Sequence, residues 1–227
     1  MKRGLILLIT LVGFCLFASA QPETVIIRRG KAINDTLFNK RLFYLKEFAD
    51  SRITMNDGSI YNAKANVMTI DQAVAMIENG DTTRVLKEKD IAMFSGGGSL
   101  MYKIDGLYHQ LIETNGEVSL VVVKKIDFAK EKLEGAYGAS NETAAISRLT
   151  RMQFDILLLD DTEIVLGYQY KESLFLISKG RTYVPTQKNF ERLFSKQKED
   201  IEKFVIDNNI QFSRNNDVKA LFNYLLL

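Results

Sequence analysis

Short apolar runs separated by Asn-Gly and Asp-Gly turns constrain this chain more than any other feature. Asn56-Asp57-Gly58, Asn79-Gly80-Asp81, Asp105-Gly106 and Asn115-Gly116 recur between residues 43 and 128. Asn and Asp tolerate left-handed backbone angles and Gly adopts them freely, as type I′ hairpin turns require. A chain punctuated this way folds back on itself repeatedly, which predicts antiparallel strands. Between the first two turns, Tyr61, Ala63, Ala65 and Val67 alternate with Asn62, Lys64 and Asn66. That period of two places one face on a core and the other in water. Val118 to Val123 is β-branched and nearly continuous, the pattern of a more buried strand. The alanines of Gln72–Glu78 permit a helix, but the position between two turns favours a strand.

Residues 129–149 break the pattern. A charged stretch, Ala129–Glu134, leads into Gly135-Ala136-Tyr137-Gly138-Ala139-Ser140-Asn141, and the spacing predicts a long surface excursion. Strands resume near Thr150. Met152, Phe154, Ile156 and Leu158 alternate with their neighbours, Asp160-Asp161 makes a turn, and Ile164–Tyr170 and Leu174–Ile177 follow before Ser178-Lys179-Gly180. After Pro185 the period becomes helical. Thr186 is placed to cap a first helix carrying Phe190, Leu193 and Phe194. Ser195 is placed to cap a second with Ile201, Phe204 and Val205 on one face. Asn216 is placed to cap a third with Val218, Leu221, Phe222 and Leu225 inward, and the ending Leu225-Leu226-Leu227 is expected to dock.

The opening residues read as a secretory signal. Lys2 and Arg3 precede an apolar run from Gly4 to Phe17, and Ala18-Ser19-Ala20 places small side chains at the −3 and −1 positions of a cleavage site. The run is short for a membrane anchor, and Phe14 before Cys15 does not suit lipoprotein processing. Cleavage before Gln21 removes 20 of 227 residues and leaves 207, enough for one core without disulfides. The organisation expected is a signal at 1–20, a lead-in at 21–42, an antiparallel domain at 43–185 and a helical segment at 186–227.

Composition then excludes whole classes of chemistry. Losing Lys2 and Arg3 from 30 basic residues leaves as many as the 28 acidic ones. A balanced charge lacks the basic footprint of a nucleic-acid binder. The one cysteine of the chain is Cys15, inside the signal, and tryptophan is absent. Disulfides, thiol chemistry and a Cys-rich zinc site are therefore excluded, and a single histidine excludes a His-rich one.

The run from Ile53 to Val123, the Gly135–Ser140 segment and the tail Phe190, Leu193-Phe194, Ile201, Phe204-Val205, Ile210-Gln211-Phe212, Asp217, Leu221 and Tyr224 together resemble a group of secreted proteins of Bacteroidetes-type gram-negative bacteria. The resemblance covers most of the chain after residue 20, and its motifs are structural. It implies a periplasmic or outer-membrane-associated location. It carries over no activity, ligand or catalytic residue.

Candidate chemistry is sparse. His109 is the only side chain of its type available as a neutral-pH base, but no Gly-x-Ser-x-Gly elbow accompanies it, and a surface or cross-strand histidine is the expectation. Ser95-Gly96-Gly97-Gly98-Ser99 lacks the Gly-Lys-Ser/Thr ending of a phosphate loop and reads as a strand connection. Gly135 and Gly138 lack a preceding βαβ context. Asp160, Asp161 and Glu163 are the candidate carboxylates for glycoside hydrolysis or weak calcium binding, with no twelve-residue EF-hand loop. Tyr102, Tyr108, Tyr168 and Tyr170 fall in predicted strands, as core partners or as stacking platforms. The mixed charges of Lys196–Lys203 suit a solvated helix face.

The fold expected is mainly β: an antiparallel curved sheet or incomplete barrel with two or three C-terminal helices. The function expected is a non-enzymatic envelope-associated protein that binds a partner, for example by strand addition at a sheet edge. The alternatives are a lipid or sugar carrier with a pocket in the sheet and a carboxylate-only hydrolase. No catalytic, cofactor-binding or metal-binding residue is assigned, and no cofactor is expected.

Overall fold

The glycine turns close hairpins. The architecture comes from a computed structural model that describes residues 23–28, 31–32, 35–78, 81–84, 90–128 and 164–226. Strands β1 (Glu23–Arg28) and β2 (Lys31–Ala32) precede helix α1 (Thr36–Arg41). Then come β3 (Ala49–Met55), β4 (Ile60–Val67), β5 (Val74–Glu78), β6 (Asp81–Arg84), β7 (Ile91–Gly96), β8 (Ser99–Ile104), β9 (Leu107–Asn115) and β10 (Val118–Phe128). The C-terminal third supplies β11 (Ile164–Ser178), β12 (Arg181–Tyr183), α2 (Gln187–Leu193), α3 (Lys198–Asp207) and α4 (Asn215–Tyr224). All pairings are antiparallel, in the order β2-β1-β11-β10-β9-β8-β7-β3-β4-β5-β6, with β12 also on β11. Nothing joins β2 to β6 among the described residues, so the sheet is open there. The mainly antiparallel sheet with helices at its C-terminal end agrees with the fold expected.

The turns differ in type, and backbone angles show why. Asp105-Gly106 and Lys179-Gly180 have positive φ at both central positions, as type I′ demands, and so do Gly97 and Gly98 between β7 and β8. At Asn115-Gly116 only Gly116 is positive, the type II′ pattern. At Asn56-Asp57-Gly58 the Gly58 amide bonds Met55 and Gly58 alone is left-handed, a three-residue connection rather than type I′. Asn79-Gly80, the excursion at 129–149 and the alternation at 151–158 lie outside the described residues.

The lead-in is part of the sheet. Val25 of β1 is fully buried, and β1 pairs β11 from Glu23↔Tyr168 to Ile27↔Ile164. The two runs read as Ile164–Tyr170 and Leu174–Ile177 form one fifteen-residue strand. The intervening Lys171, Glu172 and Ser173 are exposed strand residues, not a break. Strand lengths here reach those of membrane barrels, whereas no helix among the described residues is long and apolar enough to cross a membrane.

One face of the sheet carries the three apolar clusters, while Val121, Val123 and His109 are buried on the other. Register links Val122 to Gln110, Gln110 to Met101, Met101 to Phe94 and Phe94 to Ile53, so these side chains share a face. At one end Ile53, Phe94, Met101 and Tyr108 form a cluster with Val67 and Val74. Near the middle, Phe38 of α1 packs with Val25, Ile126 and Tyr168. Alongside, Val118, Leu120, Val122, Leu174 and Leu176 meet Phe190, Ile201, Val218, Leu221, Phe222 and Leu225 of the C-terminal helices. The four inward residues expected on α4 are all buried. Thr186 caps α2 through the Asn189 amide as expected. Ser195 instead opens a 3₁₀ turn, and α3 begins at Lys198 without a side-chain cap. Asn216 lies inside α4, whose cap residue is Arg214. Leu225 docks and Leu226 stays exposed.

Asp35 ties α1 down. Its carboxylate accepts the Leu37 and Phe38 amides at 2.8 and 3.0 Å and lies 2.6 Å from the Tyr168 hydroxyl. The Tyr168 bond, with the Phe38 amide, holds this carboxyl below its ordinary value. The unfolded state therefore takes up the proton first as pH falls below about 4, and the stabilisation is lost through the folded-state value. Asp35→Asn, which still caps a helix, should weaken the loss of thermal stability below about pH 4. Melting curves of both proteins across that range check it.

Candidate functional site

The helices and α1 cover the same sheet face but leave a gap between them. Lys124 of β10 lies in it, on the face that carries Val122 and Ile126, opposite Glu172 of β11. A lysine at this place is surrounded by both covers. The resulting cleft of about 660 Å³ is lined by Lys40, Arg41, Tyr44, Lys46, Lys124, Tyr170, Glu172 and Asn215, among others.

Two side chains outside sequence expectation shape the cleft. β9 and β10 pair from Val118↔Asn115 to Val122↔Gln110 and then diverge. Gln72 and Tyr44 fill the fork. Gln72 is 4 % exposed and takes a left-handed φ of 58°. Its Oε1 accepts the Tyr108 amide at 3.0 Å, and its Nε2 donates to the carbonyls of Thr69 at 3.1 Å and Lys124 at 3.0 Å. The Tyr44 hydroxyl donates to the Tyr108 carbonyl at 2.7 Å and accepts the Lys124 amide at 2.9 Å. Side chains thus replace the missing backbone ladder, leaving fewer buried groups unpaired. Burial pushes the Tyr44 hydroxyl well above its ordinary value, so it stays a neutral donor.

The same tyrosine forms the wall beside Lys124. The Lys124 ammonium donates to the Tyr44 carbonyl at 3.3 Å and lies 5.6 Å from the centre of its ring. Burial lowers its proton affinity, partly offset by Glu172 and reinforced by Lys219. No carboxylate stands within ion-pair distance of Lys124 among the described residues. Arg41 stacks 4.7 Å over the Tyr170 ring and meets Glu23 at 3.5 Å. Lys40 and Arg41 occupy the last turn of α1, where cations complement the helix dipole. The Tyr170 hydroxyl donates to Glu172 at 2.6 Å, and Asn215 donates to the Glu172 carbonyl at 2.9 Å. The cleft joins positive charge, aromatic surface and one carboxylate, which suits binding an anion. The sequence signal for it was weak: Lys124-Lys125 looks like a solvated pair.

Of the residues singled out from sequence that the structure describes, Tyr170 alone lines this cleft. His109 is 3 % exposed, so it is cross-strand and buried rather than on the surface. Its Nδ1 meets the Leu107 carbonyl at 3.1 Å and its ring lies edge-on to Phe175. Burial holds its proton affinity below the usual histidine range. Tyr108 and Tyr168 are core residues, and Tyr102 is 36 % exposed. Gly96–Gly98 form the tight β7–β8 turn, and a Cβ on Gly96 would collide with Ser51. Asp160, Asp161, Glu163, Gly135 and Gly138 lie outside the described residues.

His109 makes a clean pH test because the chain has one histidine. Its folded-state value is depressed, so the unfolded state binds the proton first and stability falls as pH drops below about 6.5. His109→Leu should flatten that dependence between about pH 6.5 and 5, as read by urea midpoints. An equal slope in both proteins would contradict the role of this burial.

The chain matches no family model, no curated protein and no solved structure.

Proposed function

We propose that this is an exported, non-enzymatic binding protein of the periplasm or outer membrane whose cleft takes an anionic group of a ligand or envelope partner. The observation that carries the reading is Lys124: a half-buried ammonium that, among the described residues, has no ion-pair partner, is flanked by Lys40, Arg41 and Lys46 and is faced by one carboxylate, Glu172. The signal-like opening and the family resemblance support the location. Fractionation of cells with N-terminal sequencing tests it, with Gln21 expected as the first residue of the exported form.

The binding reading is tested by thermal shift against a panel of small anions, neutral sugars and divalent ions. A ligand at 100 times its Kd stabilises a fold by about 2.7 kcal/mol, and only anions should do so here. Lys124→Met should abolish the shift. A shift of unchanged size in that variant would remove the cleft from the proposal.

Strand addition remains a second reading because of β11. Along one edge β1 pairs it only as far as Tyr168, and β12 only from Leu176. Residues 169–175 of that edge carry no strand among the described residues. Cross-linking of intact cells through Ser173→Cys tests this, since Ser173 is exposed on that stretch.

A further inference from the structure

The cleft beside Lys124 has a chemistry more specific than positive charge. Resting on the reading of this cleft as an anion site, we propose that its ligand is a phosphorylated sugar, free or as the headgroup of a lipid. The charge, the geometry and the lining of the cleft converge on that class. The lining carries Lys40, Arg41, Lys46 and Lys124 against Glu172, a surplus that a single carboxylate leaves unbalanced and a phosphate monoester fits better. Arg41, although stacked on Tyr170 and touching Glu23 through one nitrogen, keeps other donors of the planar fork that matches phosphate oxygens.

The remaining lining suits the rest of such a molecule. The half-buried Phe43 and Tyr170 give an aromatic wall for the apolar face of a sugar ring, Tyr170 sharing one face with Arg41, while Tyr44 itself is buried. The Glu172 carboxylate accepts hydroxyl protons, and its second oxygen is left for this after Oε1 takes the Tyr170 hydroxyl. The volume of about 660 Å³ lies within the range of small-molecule sites. Lys124, already anchored on the Tyr44 carbonyl, holds its remaining donors for the phosphate. A neutral sugar leaves that half-buried ammonium without an anion. Inorganic phosphate leaves the aromatic wall bare.

Isothermal titration of the exported chain separates these outcomes. The probes are glucose 6-phosphate, glucose, glucuronate and inorganic phosphate, with phosphatidylcholine vesicles carrying a phosphorylated diglucosamine lipid as the membrane arm. Glucose 6-phosphate should bind at least tenfold more tightly than the other three soluble probes, and its affinity should fall as pH drops through the second phosphate ionisation near pH 6. Vesicle binding in addition assigns the lipid source, and its absence assigns the free sugar. Lys124→Met should lose the binding. Lys46→Gln, at an exposed position where folding is not at stake, should weaken it severalfold. Glucuronate or inorganic phosphate binding as tightly as glucose 6-phosphate overturns the phosphosugar assignment while leaving the anion site standing. Failure of every anion overturns both.

Discussion

Gln72→Leu should destabilise the fold by about 3–5 kcal/mol, although the two side chains have similar size. The substitution removes the donors and acceptors that close the fork between β9 and β10. The Gln72 bonds to the Tyr108 amide and the Lys124 carbonyl are then lost, at about 1–3 kcal/mol for each buried group left unsatisfied. The Thr69 carbonyl suffers less, because it also accepts the Ile126 amide at 3.1 Å. Tyr44→Phe should cost less than Gln72→Leu: it too removes the bonds of one donor and one acceptor, but it keeps the ring in place and leaves the Gln72 bond to the Thr69 carbonyl intact. Such losses are a large part of a typical total of about 5–15 kcal/mol. Urea titration gives the answer directly: a midpoint shift below about 1 kcal/mol for Gln72→Leu would mean that water enters the fork and satisfies it.

Phe190→Ala should be comparably severe, at about 3–5 kcal/mol, and different in kind. Phe190 is fully buried, stacks with Phe194 at 6.1 Å between ring centres and meets Phe212 at 6.0 Å. Those rings join α2 to the segment between α3 and α4, and with Leu176 and Val118 they fasten the helices to the sheet. The cavity should loosen this cover before the hairpins of β7, β8 and β9, which pack in a separate apolar cluster and are tied to the cover by the Asn115 bond to the Leu225 carbonyl at the end of β9. Hydrogen exchange should therefore show early loss of protection in α2–α4 amides while those strands keep theirs. Uniform loss along the chain would make helices and sheet a single cooperative unit instead.

Much of this fold was legible because its signals are local. Asp105-Gly106 marks a hairpin by its own backbone preferences, and Val218, Leu221, Phe222 and Leu225 mark a buried stripe by their spacing. Capping signals were weaker guides. Ser195 and Asn216 sit where a cap is plausible, but the 3₁₀ turn starts after Phe194 and α4 after Arg214, and neither start has a side-chain cap. Lys171-Glu172-Ser173 looked like an interruption because polarity along a strand says nothing about its backbone. The cleft was the least legible part. Lys124 acquires its surroundings from residues 40–46, from Glu172 and from Asn215, and no spacing rule connects these segments. Gln72 and Tyr44 were equally hidden, since a fork between strands has no sequence signature.

The long strand β11 also sets an order of events. The hairpins from β7 to β10 join neighbours separated by only a turn, so they form early. β1 must wait for β11, because the Tyr168–Glu23 contact spans 145 positions. Closing so long a loop is entropically unfavourable until its contacts are made, and distant pairing slows folding. While the chain is being made, the apolar edge that β1 will occupy does not yet exist. Val25 therefore stays without its strand partner and without Tyr168 until the last third of the protein emerges, and that interval is when a holding factor or an aggregate has most to seize.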